Sequence, residues 1–154
     1  MVLEGRDQGS SEGADRDELE ASHGRRVSVH LRPTRTAAEQ ARRALQQLAL
    51  PSPLADEAQL LVTELVTNSV RHAGLGPDER IQLTAVWSGT WLRVHVRDRG
   101  RSRLAGAGAG SIRPAPGAES GWGLYLVDRL ASRWGSSADG YWFELRSDPR
   151  QPGA

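Results

Sequence analysis

The stretch Leu61-Val62-Thr63-Glu64-Leu65-Val66-Thr67-Asn68-Ser69-Val70-Arg71-His72-Ala73-Gly74 decides the fold. Its apolar residues continue a pattern begun at Ala58: Ala58, Leu61, Val62, Leu65 and Val66 recur at spacings of three and four, as the buried stripe of a helix does. Glu64, Asn68 and His72 stand at i, i+4 and i+8 in the same segment. At 100° per residue each step of four drifts by only about 40°, so the three form one slanted stripe. That stripe lies roughly 60–120° around the helix from the apolar one, at the margin of the buried face, where a cleft would open. A carboxylate there can polarise an attacking hydroxyl or water. An Asn oxygen can complete an octahedral Mg²⁺ shell alongside phosphates and water. The solvated polar edge of an amphipathic helix has the same spacing, and this helix alone leaves both readings open.

Pro51-Ser52-Pro53 breaks the pattern upstream, so the helix is expected to start near Leu54 and to end at Ala73-Gly74, where Gly can supply a left-handed cap. Before it, Val27 to Leu31 alternates as a half-buried strand does. A first helix is predicted over about 34–49, from Ala37, Ala38, Ala41, Ala44, Leu45 and Leu48. After it, Ile81 to Trp87 and Trp91 to Asp98 alternate around the short turn Ser88-Gly89-Thr90, an antiparallel hairpin. A long loop rich in Gly, Ala and Pro runs from Arg99 to Ser120, and loops of that length inside a compact domain are often lids. A helix over about Leu124 to Trp134 and a last hairpin ending in Tyr141 to Leu145 complete the order. Strand, two helices, hairpin, lid, helix, hairpin is the order of an α/β two-layer sandwich, a mainly antiparallel sheet covered on one face by helices.

Two further constellations carry chemistry. Strand alternation puts Asp98 on the side of Leu92, Val94 and Val96, facing the helices. A carboxylate at the mouth of an apolar layer needs a partner, and the amino group of adenine would serve. Gly100 lets backbone approach a flat base. An Asp in a strand-ending turn is the commoner meaning of Asp-Arg-Gly by itself. Gly121-Trp122-Gly123-Leu124-Tyr125 opens a helix directly after the lid, and bare amides at a helix start bind phosphate.

In order and together, the three resemble the boxes of the ATP-binding fold shared by gyrase, MutL and the histidine kinases. Glu64, Asn68 and His72 look like its N box, Asp98-Arg99-Gly100 like its first glycine box, and Gly121 to Leu124 like its second. The phrase from Leu61 to Gly74 is similar to the anti-sigma-factor serine kinases, over about 27–146. The resemblance implies ATP and Mg²⁺ as cofactors and assigns roles. Glu64 would be the general base. Asn68 would ligate Mg²⁺, and Asp98 would read the adenine amino group. Gly100 would line the base pocket. Gly121 and Gly123, with the amides of Leu124 and Tyr125, would cradle the phosphates, and Arg71 and His72 would lie near the nucleotide. Two departures bear on nucleotide affinity: Arg101-Ser102 stands where the first glycine box usually continues to a Gly or Pro, and the shortened Asp139-Gly140-Tyr141-Trp142 has no counterpart of the family's adenine-holding Thr. The loop 99–120 would be mobile without ligand and partly ordered by ATP.

Composition narrows the function. The 154 residues suffice for one folded domain, expected over 25–147, between a disordered acidic segment 1–24 and a loose end 148–154. Residues 1–24 hold seven acids against Arg6 and Arg16, about −5, in a chain of net charge +1. That balance argues against a strongly basic nucleic-acid binder. The chain has no Cys, which excludes disulfides and thiolate zinc sites, and no Lys, which excludes a standard P-loop and a eukaryotic-type protein kinase. His30 and His95 fall on outward strand faces without partners at ligand spacing. Trp87, Trp91, Trp134 and Trp142 read as packing rather than a base-stacking platform. With no secretory or membrane-spanning stretch, a cytoplasmic protein is expected. The resemblance then implies a protein serine/threonine kinase that binds a sigma factor and phosphorylates an antagonist protein, with dimerisation implied on the same ground alone. The alternative is a nucleotide-gated binding module without transfer. No dimerisation helix with a phosphoacceptor His fits before the domain, which disfavours a histidine kinase, and the length leaves no room for a gyrase-type transducer.

Overall fold

The computed structural model describes residues 24–99 and 122–147. Five strands, β1 (Arg25–Leu31), β2 (Ile81–Trp87), β3 (Trp91–Arg97), β4 (Arg133–Ser137) and β5 (Gly140–Arg146), form one sheet in the order β1-β2-β3-β5-β4, with every neighbouring pair antiparallel. Three helices, α1 (Ala37–Gln46), α2 (Ser52–His72) and α3 (Trp122–Leu130), pack on one face. This is the open α/β sandwich the alternation and the 3.6-residue periodicity specify together.

The core lies between these layers. Leu61, Val62, Leu65 and Val66 of α2 are buried over Leu83, Val94, Val96 and Phe143 of the sheet. Burial of the inward row on each strand fixes the register, since a slip of one residue would turn every apolar side chain outward. Gly89, at φ +98°, closes the β2–β3 hairpin in a conformation other residues rarely adopt, and the Ser88 hydroxyl accepts the amides of Thr90 and Trp91. Gly74, at φ +63°, follows α2 in the left-handed region, as a helix-ending Gly should.

All three helices differ from expectation at a boundary. α2 starts at Ser52 rather than Leu54, because a Pro in the first turn forfeits only an amide that has no intrahelical acceptor. α1 is shorter than 34–49: beyond Gln46 the chain continues in tight turns, with Leu48 donating to the Leu45 carbonyl and Ala49 at φ +46°. α3 stops at Leu130, and Trp134 belongs to β4. Val127, Leu130 and Trp134 have helical spacing, but the Ser132 amide donates to the Glu144 carbonyl and the ladder continues from Arg133 opposite Glu144 to Ser137 opposite Gly140. Cross-strand pairing therefore wins over local periodicity there. The lid reading of 99–120 falls, apart from Arg99, outside the described residues.

The other face of the sheet carries no helix among the described residues. His95 stacks on Trp142 with ring centroids 6.3 Å apart. Burial first, then the positive charges of Arg97 and Arg93, lower its pKa from 6.5, against an opposing pull from Asp139. The fold therefore favours the neutral imidazole. That contribution to stability is complete above pH 6.5 and is lost as the pH falls through the lowered value. Trp87 is buried under the helices, and Trp134 donates its indole N–H to Asp128 Oδ1 at 3.0 Å, so both serve packing as expected. Among the described residues no helix is long and apolar enough to cross a membrane.

Candidate nucleotide site

Helix α2 is the common wall of the site. Its apolar stripe is buried against the sheet, which leaves Glu64 and Asn68 half-buried at the stripe's edge, one turn apart. The start of α3 presses against that edge. A Cβ at Gly123 would stand 2.9 Å from Glu64 Oε2, 3.2 Å from Glu64 Cβ and 3.3 Å from Asn68 Nδ2. Nothing larger than Gly fits there without moving the Glu64 side chain. The close approach sets the first turn of α3, whose leading amides have no intrahelical acceptors, beside the carboxylate and the amide. Leu124 anchors this turn by burial in the core, Tyr125 is half-buried, and Trp122 meets Tyr125 edge to face with ring centroids 5.6 Å apart.

Asp98 stands at the end of β3 on the inward face, only 5% exposed, in line with Leu92, Val94 and Val96. Its amide donates to the Asp139 carbonyl at 2.7 Å, which ties the strand end to the turn before β5. Its Oδ2 accepts a 2.6 Å hydrogen bond from the buried Ser69 hydroxyl. Ser69 is a residue the sequence reading did not single out. The signal was present: it falls three and four positions beyond Val66 and Leu65, on the buried stripe, where a hydroxyl needs a polar partner. α2 thus turns Glu64 and Asn68 toward α3 and Ser69 toward Asp98.

The structure brings together Glu64, Asn68 and Gly123 directly, and ties Asp98 to the same helix through Ser69. It does not bring in Arg71 and His72, which are exposed at the end of α2 and make no hydrogen bond or ion pair among the described residues. Gly100 and Gly121 lie outside the described residues. A separate hollow of about 410 Å³ opens at the strand ends, lined by His30, Arg80, Arg97, Asp98 and Asp139 among others. It shares Asp98 with the three motifs, but Glu64, Asn68 and Gly123 do not line it.

Five antiparallel strands under three helices, with these motifs meeting on one helix, define the ATP-binding superfamily of gyrase, the histidine kinases and MutL. The chain matches the family model of the histidine kinase-like ATPase domain over residues 27–143, and it belongs to that family. Among solved structures it is similar to the RsbU and RsbW domains of Rv1364c from Mycobacterium tuberculosis, at 22% identity and a TM-score of 0.52 over 79% of this chain. The chain spans 31% of that chain's length, and the likeness is one of fold. No curated protein matches it.

The residues present suit a nucleotide. A buried carboxylate at a strand end can accept the amino group of a base, the bare Cα of Gly123 lets the amides of a helix start come close to Glu64 and Asn68, and Asn68 offers a neutral oxygen suited to a hard cation.

Proposed function

We propose that the protein is a cytoplasmic, ATP-dependent serine/threonine kinase of the anti-sigma-factor type, which binds a sigma factor and phosphorylates an antagonist protein. The observation that supports this best is the seating of Gly123 on Glu64 and Asn68, because it sets a candidate base, a candidate metal ligand and a phosphate-binding helix start around one point. The RsbW domain in the similar structure points the same way.

In this reading Asp98 holds adenine through its carboxylate while Ser69 fixes the carboxylate's orientation. The α3 amides of Leu124 and Tyr125, with Gly123, hold the phosphates, and Gly121 and Gly100 extend the phosphate and base contacts. Asn68 would hold Mg²⁺, which neutralises phosphate charge when bound. Glu64 accepts the proton of the partner's serine hydroxyl as its oxygen attacks the γ-phosphorus. The bond from that phosphorus to the β-phosphate oxygen breaks, and ADP leaves. Arg71 and His72 stand at the solvent side of the same helix, available to phosphate or partner.

Asp98→Asn should weaken ATP binding by about 1–3 kcal/mol, the range for disturbing a buried hydrogen-bonded group. Calorimetry checks this, and unchanged affinity would remove Asp98 from the base site. The proposal itself is tested with γ-labelled ATP and a candidate antagonist protein. Labelled serine or threonine on the partner is expected from wild type. Asn68→Ala should lose both Mg²⁺-dependent ATP binding and labelling. ATP that alters partner affinity without any labelling would instead identify a nucleotide-gated binding module.

A further inference from the structure

The sheet face turned away from the helices is basic and aromatic. Arg26, Val86, Arg93, Glu144 and Arg133 stand in one register row across all five strands. Arg146 and Arg97 lie on the same face to either side of that row. Glu144 is 2% exposed and is held by Arg93 at 2.8 Å and Arg146 at 3.1 Å. At the far end Asp139 lies 3.9 Å from Arg97. Arg26 and Arg133 are exposed and make no ion pair among the described residues. The Arg93 guanidinium lies 5.4 Å from the Trp91 ring centroid and 5.9 Å from that of Trp142, on which His95 stacks. Guanidinium groups held on a rigid aromatic floor suit carboxylates carried on an extended peptide.

The sequence that leads into β1 is rich in such carboxylates. Residues 1–23 hold Glu4, Asp7, Glu12, Asp15, Asp17, Glu18 and Glu20 against only Arg6 and Arg16. They enter the edge strand β1 at Arg25, which pairs with Trp87, and that end of the sheet also carries Trp91 opposite Arg146. Strands lie about 4.8 Å apart, so β5 is about 14 Å from β1. An extended chain advances about 3.3–3.6 Å per residue and covers that in about five residues. Glu20, Glu18, Asp17 and Asp15 are therefore within reach, at the high effective concentration of a tethered ligand. We propose that the acidic segment 1–23 docks on the outer sheet face of its own chain, its carboxylates along the row that runs from Arg26 to Arg133.

The absence of Cys gives a clean test on the full chain. Ser11→Cys carries a single nitroxide label, and the backbone amides of Arg93 and His95 and the indole of Trp142 are followed by NMR. At low salt these signals should lose most of their intensity, while those of α1 and α2 keep theirs. About 1 M salt, where the Debye length is about 3 Å, should restore them. So should changing the segment's seven acids to Asn and Gln. Intact outer-face signals at low salt would overturn the proposal, as would broadening that survives neutralisation of the acids. Equal broadening when label and isotope sit on different molecules would assign the face to a second copy instead, and would also overturn it.

Discussion

Glu64→Gln should leave ATP affinity close to wild type and lower phosphoryl transfer to the partner by about 10²–10⁴-fold, the usual worth of a positioned base. The substitution keeps the shape of a side chain that touches Gly123, so the start of α3 stays seated. It removes the capacity to take a proton, together with one negative charge. Nucleotide contacts would come from Asp98, Asn68 and the α3 amides, none of which it alters. Parallel calorimetry and single-turnover labelling measure the two quantities separately. Equal labelling by both proteins would reduce Glu64 to the polar margin of an amphipathic helix. A joint loss of binding and transfer would mean that Glu64 supports the geometry of the cleft.

Phe143→Ala should cost about 3–5 kcal/mol of stability, the range for emptying a large core site. Phe143 is fully buried on β5, between Val94 of β3 and Trp134 of β4, on the face that α2 covers. Its loss opens a void under the wall that carries Glu64, Asn68 and Ser69. Urea denaturation should show a lower midpoint with an unchanged slope, since the unfolded chain exposes much the same surface. A loss within about 0.5 kcal/mol, typical of surface substitutions, would mean that the layer beneath α2 does not depend on this ring.

The helices and the central hairpin were legible because each buries one face. The stripe from Ala58 to Val66 and the alternation of Ile81, Leu83 and Ala85 are local consequences of burial, and every one of these residues is buried. Asp98 was legible for the same reason, as the next inward position after Val96. What escaped depended on partners distant in sequence. Trp134 continued a helical spacing, yet pairing with Phe143 on β5 drew it into a strand. Ser69 mattered only once Asp98, 29 positions away, was known to lie against it. Glu144 is buried on the outward side of β5, where it pairs with Arg93, 51 positions away, and with Arg146. Gly123 was read as a phosphate-loop residue. Its close contact with Glu64 and Asn68 is a packing requirement that spacing alone could not express.

In the proposed function α2, Asp98 and the start of α3 form one nucleotide cleft. Titration calorimetry of the wild-type chain with ATP and Mg²⁺ tests this most directly. One saturable site per chain is expected at millimolar nucleotide or below, weakened by Asp98→Asn and dependent on Mg²⁺ through Asn68. Heat no greater than dilution at millimolar ATP would contradict it, whatever the family of the fold.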